Sequence, residues 1–245
     1  MTGCQVCGAQ QSVPFVTQGA YRWCRCADCG LVFLQDMPSD AEARDLQNDE
    51  VSAGYIASYL KRADKKLARS LRRARRLKRL MPGPALIDIG SNLGFLVEAA
   101  RQSGLQPVGV ELNPALAAAA RARFPDCTFL TGALEEQDFA GRLFDGAYCS
   151  EVIEHVPECR RLLTRIAEVL RPGGVLYLTT PHIREYTKGR DPVQWRNFGA
   201  PDHKLYFDDS TIRRLLLSCG FGEVRIEFSF FRGIKLFARR VPAAA

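Results

Sequence analysis

Asp88, Gly90, Gly94 and Glu111 are the residues whose types and spacing point most directly to chemistry. The run Ala85-Leu86-Ile87-Asp88-Ile89 is apolar and branched, and it enters the glycine turn Gly90-Ser91-Asn92-Leu93-Gly94. A helical segment over residues 93–102 follows, then a second apolar run, Val108-Gly109-Val110, that ends in Glu111. This order is one βαβ unit. The two glycines let backbone and ligand approach where a Cβ would intrude, and an acid closing the second strand can accept both hydroxyl hydrogens of a ribose. The spacing is G-x-x-x-G, not the G-x-G-x-x-G of dinucleotide sites, and Asp88 stands just before the turn. A pyrophosphate would meet that carboxylate as a like charge. Two unit charges about 4 Å apart cost roughly 4 kcal/mol at an effective dielectric of about 20, and an ammonium gains about as much. The turn therefore favours a cationic adenosine, of which S-adenosylmethionine is the natural candidate.

Two later stretches extend the pattern. Phe144-Asp145-Gly146-Ala147-Tyr148-Cys149-Ser150-Glu151-Val152-Ile153-Glu154-His155-Val156 reads as a strand followed by a Glu-His turn. Leu170-Arg171-Pro172-Gly173-Gly174-Val175-Leu176 reads as a passage from helix to strand. Together with the glycine turn, these residues resemble the class I S-adenosylmethionine-dependent methyltransferases over residues 84–240, with Asn92 where the common D-x-G-x-G-x-G motif has its middle glycine. Sugar methyltransferase branches of that family have a similar acid-x-Gly-Ser-Asn turn. The resemblance implies a cofactor held by Asp88, Gly90, Ser91, Asn92, Gly94, Glu111 and Ser150, with the adenine near Leu112, Ala133 and Leu134. For Leu134, ordinary core packing is an equal reading.

Methyl transfer from a sulfonium releases a neutral thioether, so the chemical demand falls on the acceptor. A hydroxyl must lose its proton as the bond forms, to a general base or with help from a metal. The chain has three histidines, His155, His182 and His203, all in its second half. His155 and His203, with Glu154, are the catalytic candidates, and His182 is expected near the substrate. In ubiquinone-pathway O-methyltransferases a similar Glu-x-x-Glu-His run binds a divalent ion. That resemblance implies a magnesium-type site at Glu151, Glu154 and His155, against the reading in which the histidine orients a loop or serves as base. Residues 181–208 form a long connection that carries Trp195, Phe198 and the segment Pro201-Asp202-His203-Lys204-Leu205-Tyr206-Phe207, and its aromatics could stack on a ring of the substrate.

A second chemistry lies at the N-terminus. Cys4-x-x-Cys7-Gly8 and Cys26-x-x-Cys29-Gly30 are separated by 18 residues, a four-cysteine zinc ribbon pattern with Cys24 as the spare. Four thiolates leave no open coordination position, so this zinc is expected to be structural, folding a module too small to fold alone. Residues 36–49 read as a polar linker.

These sites need elements to hold them. From residue 84 onward, short branched runs alternate with helical stretches, which predicts an α/β Rossmann-like fold. Five parallel strands are expected at residues 85–89, 107–111, 128–130, 146–150 and 175–180. An antiparallel pair at 223–230 and 234–239 completes seven, with helices on both faces. The division is residues 1–35 zinc ribbon, 36–82 linker and basic amphipathic helices, and 83–245 methyltransferase domain. The 245 residues carry a net charge of +7, but the stretch 61–80 has eleven Lys and Arg against Asp64 alone, leaving the rest of the chain at −3. Apolar residues at Ile56, Leu60, Ala63, Leu67, Leu71, Ala74, Leu77 and Met81 share one helical face there. The bland reading is a helix covering the sheet with a solvated charged face. No run is long and apolar enough for a membrane span and no secretory signal is visible, so a reducing cytoplasm is expected.

The leading expectation is a methyltransferase acting on a hydroxyl of a small-molecule or glycan acceptor. An rRNA methyltransferase, using ribbon and basic helix to grip RNA, is the alternative. A sugar C-methyltransferase, which would carry a further C-terminal domain, and a non-catalytic binding protein rank lower.

Overall fold

A computed structural model describes residues 3–50, 53–186, 198–227 and 233–242. Strands β1 (Ser12–Gln18), β2 (Tyr21–Cys26) and β3 (Val32–Leu34) form an antiparallel meander between and beyond the cysteine knuckles. Trp23, Val32 and Leu34 are buried there against Ile183, Phe198 and Tyr206, which come from the far end of the chain.

The expected linker instead contains a helix, α1 (Asp40–Glu50). Ser39 and Glu42 cap it reciprocally: Ser39 N donates to the Glu42 carboxylate at 2.8 Å, and Glu42 N donates to Ser39 Oγ at 3.3 Å. The Ser-x-x-Glu capping box thus overrides a composition that suggested a loop. The single amphipathic helix expected over residues 56–81 is two, α2 (Ala53–Leu60) and α3 (Ala63–Leu80), with Arg62 in a non-helical conformation between them. The break lets the two pack on different partners. Ile56, Tyr59 and Leu60 cover Leu93, Phe95 and Leu116, while Ala74 and Leu77 lie on the sheet.

The remaining elements alternate. They are β4 (Ala85–Ile89), α4 (Phe95–Gln102), β5 (Gln106–Glu111), α5 (Pro114–Arg123), β6 (Thr128–Thr131), β7 (Phe144–Ser150), α6 (Cys159–Val169), β8 (Leu170–Thr180), β9 (Leu205–Tyr206), α7 (Asp209–Ser218), β10 (Phe221–Ile226) and β11 (Ile234–Arg240). Seven of the strands form one sheet in the order β10-β11-β8-β7-β4-β5-β6. The pairs among β4, β5, β6, β7 and β8 are parallel, and β11 is antiparallel to both its neighbours. This is the expected Rossmann-like sheet. Alternation along its strands sorts the core. Ile87, Ala147, Cys149, Leu176 and Leu178 face α6 and α7, whereas Leu86, Tyr148, Val175 and Tyr177 face α3 and α4. Strand order reverses at β4, so a crevice opens at the carboxyl ends of β4, β5 and β7.

Strand β9 departs from the expected division. It joins the ribbon sheet, in the order β1-β2-β3-β9, with Val32 opposite Tyr206 and Phe33 opposite Leu205. Two residues are too short for a periodicity to reveal. Among the described residues no helix is long and apolar enough to cross a membrane.

Candidate active site

The crevice is a cavity of about 1190 Å³. Its first half is built by the β4 turn. Gly90 and Gly94 adopt φ of 71° and 77°, and Asn92 a φ of 49°, so the chain doubles back through left-handed conformations that glycine takes without strain. A Cβ on Gly90 would also lie 2.5 Å from Val152 Cγ2, and one on Gly94 2.5 Å from Phe129 Cζ. Both glycines therefore serve close packing inside the protein as well as approach to a ligand. Glu111 is held by backbone amides, accepting from Asn92 N at 2.7 Å and from Asn113 N at 2.9 Å.

Asp88 is buried at the cavity wall. Burial, reinforced by the nearby Glu111 charge, pushes its carboxyl up to about 8, with Arg73 opposing. Glu111 is also raised by burial. A further anion between these acids is unfavourable, whereas a cation would restore the ionised form. The pair fits the ammonium and ribose of S-adenosylmethionine. Ser91, Asn92, Leu112, Ala133, Leu134 and Ser150 also line the cavity. Gly94 stands behind it, at the start of α4.

The second half is the turn after β7. Glu151 turns away from the histidines and accepts from Thr179 Oγ1 at 2.7 Å, which in turn lies 2.7 Å from Ser150 Oγ. Glu154 is fully buried. Thr180 Oγ1 donates to its Oε2 at 3.0 Å, while Oε1 has no hydrogen-bond partner among the described residues. Burial pushes the Glu154 carboxyl up to about 8. His155 Nδ1 lies 2.7 Å from Asp202 Oδ1, and its Nε2 lies 3.8 Å from Glu154 Oε1. Burial opposes its charged form, but the bond to Asp202 and the Glu154 charge outweigh that and hold its pKa above the ordinary value. His203 packs edge-on to His155 with centroids 4.8 Å apart. His155, Asp202 and His203 all line the cavity.

Asp202 lines the cavity and contacts His155, although sequence reasoning singled out only its neighbour His203. Its pairing with His155 spans 47 positions, and only its place beside His203 hinted at it. The magnesium set Glu151, Glu154 and His155 is not assembled. The donors brought within 4.8 Å of one another are Glu154, His155 and His203. One carboxylate and two imidazoles do not suit magnesium, which prefers oxygen ligands and retained water. His182 also departs from expectation: its Nδ1 accepts from Arg184 N at 3.0 Å and its Nε2 lies 3.5 Å from Asp209 Oδ1, so it faces the start of α7. Phe198 is buried in the ribbon core, and Trp195 lies outside the described residues.

Residues 59–225 match the family described as a methyltransferase domain. The chain belongs to that family. Its fold is the class I S-adenosylmethionine-dependent methyltransferase fold of the solved structures it resembles. Its sequence is 31% identical over 105 residues to a ubiquinone biosynthesis O-methyltransferase of Xanthomonas campestris pv. campestris, covering 41% of this chain and 44% of that protein. It is 27% identical over 162 residues to a probable S-adenosylmethionine-dependent methyltransferase of Mycolicibacterium smegmatis, covering 66% and 60%. The chain thus spans less than two thirds of either relative's length. Among solved structures, an amino pentose methyltransferase from Micromonospora echinaspora with S-adenosylmethionine bound superposes with a TM-score of 0.61 at 21% identity. That match covers 78% of this chain and 98% of the other. A glycopeptide N-methyltransferase gives a TM-score of 0.55 at 17% identity, covering 71% and 87%. At such identities the likeness is one of fold.

The chain also gathers its N-terminal cysteines. The sulfurs of Cys4, Cys7, Cys26 and Cys29 lie within 4.8 Å of one another, with Cys4 and Cys29 at 3.5 Å and Cys7 and Cys26 at 3.5 Å. A tetrahedron with zinc-sulfur bonds of about 2.3 Å has edges slightly under 4 Å, roughly what this set offers. Amides of Val6 and Cys7 point at the Cys4 sulfur, and those of Asp28 and Cys29 at Cys26. Cys24 stands apart, 3.6 Å from Gln35 Oε1.

Proposed function

We propose that this methyltransferase acts on a hydroxyl of a small-molecule or glycan acceptor, with His155 as the proton acceptor. The observation that carries this reading is the 2.7 Å contact between His155 Nδ1 and Asp202 Oδ1 in the wall of the cavity. S-adenosylmethionine, when bound, supplies an electrophilic methyl on a sulfonium. Asp88 would neutralise its ammonium, Glu111 would bind the ribose hydroxyls, and Leu134 would cover the adenine. Asp202 keeps the His155 tautomer with Nδ1 protonated, which leaves Nε2 to take the hydroxyl proton. His203 and the buried Glu154 carboxyl flank His155 on its inner side. No step needs a divalent ion.

The experiment is a pair of variants, His155→Ala and Asp202→Asn, assayed by product mass against a panel of sugar and phenolic acceptors. His155→Ala should lower kcat by roughly 10²–10⁴-fold, the usual contribution of a general base, without weakening S-adenosylmethionine binding. Full activity in His155→Ala would end the base assignment, and loss of activity in EDTA with the zinc retained would reinstate a metal.

Cys4, Cys7, Cys26 and Cys29 are proposed to bind one structural zinc, with residues 1–35, 36–82 and 83–245 as ribbon, helical connection and catalytic domain. Thiolates kept for metal suit a reducing compartment, which we take to be the cytoplasm. A second reading rests on the exposed cations Arg62, Lys65, Arg69, Arg72, Arg75 and Arg79, of which Arg69 reaches the cavity. An RNA acceptor would lie along them, and its affinity would fall steeply with salt, because the counterions released on binding gain less entropy in a more concentrated solution.

A further inference from the structure

Strand β9 belongs in sequence to the catalytic domain and in space to the ribbon. Leu205 and Tyr206 are fully buried. The residue before them, Lys204, works in both directions. Its carbonyl accepts from Leu34 N at 3.1 Å at the end of β3, and its amide donates to the Glu154 carbonyl at 2.7 Å in the turn that carries His155. One peptide unit on each side of Lys204 thus separates a ribbon strand from the catalytic turn.

Side chains repeat the connection. The Tyr206 ring is stacked on Phe198 at 4.7 Å and packs on Trp23 of β2 at 5.2 Å. Its hydroxyl accepts from Gly199 N at 3.0 Å and lies 3.3 Å from His203 Nδ1. From the end of β1, Gln18 Nε2 donates to the Phe198 carbonyl at 3.2 Å and Gln18 Oε1 accepts from Ala200 N at 3.2 Å. Between the first two cysteines, the Gln5 carbonyl accepts from Arg160 Nε at 3.0 Å and Gln5 Oε1 accepts from Cys159 N at 2.8 Å, just after the catalytic turn. The loop carrying Asp202 and His203 is therefore held at Gln18, Leu34 and Tyr206. The groups that hold Glu111, the amides of Asn92 and Asn113, lie elsewhere, on the β4 and β5 turns.

We propose that the four-cysteine site is a positioning device for the acceptor half of the active site, acting through Tyr206. The metal fixes the two knuckles and so the frame of β1, β2 and β3. That frame seats Tyr206, and Tyr206 sets where Asp202 and His203 stand relative to His155. This inference rests on the zinc and His155 readings above. Metal binding by such a module is folding energy, so losing the metal loosens the frame. A displacement of about 1 Å at a reacting group can cost 10²-fold in rate. Donor binding should be spared, because no ribbon residue touches Asp88 or Glu111 among the described contacts.

The test uses the full-length protein and exploits its three histidines, whose imidazole nitrogens can each be followed by long-range proton-nitrogen NMR. Tyr206→Phe keeps the ring stack and removes only the hydroxyl. It should retain zinc, bind S-adenosylmethionine within about twofold of the parent, and shift the His155 and His203 resonances. With an acceptor in hand, kcat should fall at least tenfold. Removing zinc with a chelator should reproduce the same shifts in the parent protein. Unchanged His155 and His203 resonances in both arms would overturn the proposal. So would an equal loss of S-adenosylmethionine affinity in Tyr206→Phe, which would mean general loosening instead of positioning. A protein that is purified without zinc sinks the zinc reading and with it the metal's part. If the resonances shift while His155→Ala remains active, the loop is positioned as proposed but His155 is not the base.

Discussion

At the scale of residues, the donor site is governed by two acids in one dry crevice. Asp88 at about 8 is mostly protonated at neutral pH before ligand arrives, and an arriving ammonium must drive that proton off. Its folded pKa lies above the unfolded carboxylate value. The native state therefore binds more protons between about pH 4 and pH 8, and the ligand-free protein loses stability as pH rises through that window. S-adenosylmethionine binding at pH 7 should release nearly one proton, falling towards none above pH 9. Calorimetry in buffers of different ionisation enthalpy reads this directly, and a buffer-independent heat would refute it. Glu111→Ala leaves the Asn92 and Asn113 amides without their acceptor and removes the ribose contacts. At about 1.5–3 kcal/mol per charged hydrogen bond, it should weaken binding by roughly 10²-fold. These acids were legible in the sequence because their meaning is local, a strand end and a turn within a few positions. The His155 to Asp202 contact was not, since nothing in a linear pattern says which of several acids a distant loop will deliver.

At the scale of elements, the Gly90 turn shows why one residue can answer to two demands. Alanine there meets a positive φ and a side chain at 2.5 Å, so Gly90→Ala should destabilise the protein by about 1–3 kcal/mol and abolish donor binding. Adding Val152→Ala removes the clash but not the strain. The double variant should thus recover part of the melting temperature, and full recovery would show that φ does not matter. Helix α1 illustrates the opposite lesson about reading a sequence. Its polar composition read as a linker, because a short helix capped by Ser39 and Glu42 and tied to the rest of the chain by charge, with Arg161 reaching Asp40 at 2.6 Å and Arg44 pairing with Glu136, leaves little apolar periodicity to read. Strands β4, β5, β6 and β11 lie within one residue of their expected bounds, since branched apolar runs have few other uses. By contrast, β8 starts five residues early, through Arg171-Pro172-Gly173-Gly174, and β7 two residues early. Strand β10 is Phe221–Ile226, with residues 228–230 of the expected 223–230 outside the described residues.

At the scale of the whole molecule, ribbon and catalytic domain are joined by a strand that neither pattern contained. Deleting residues 1–35 should therefore not yield a clean catalytic domain. It exposes Leu205, Tyr206 and Phe207, all fully buried in the intact protein. The expected product is aggregation-prone, which light scattering and S-adenosylmethionine binding would reveal; a monomeric, fully active truncation would contradict the shared sheet. The same pairing has a consequence for biosynthesis. Strand β3 ends at Leu34 and its partner begins at Leu205, so most of the chain must leave the ribosome before the first sheet can close. Until then the nascent ribbon presents β3 as an open β edge, the kind of unpaired strand that recruits other chains.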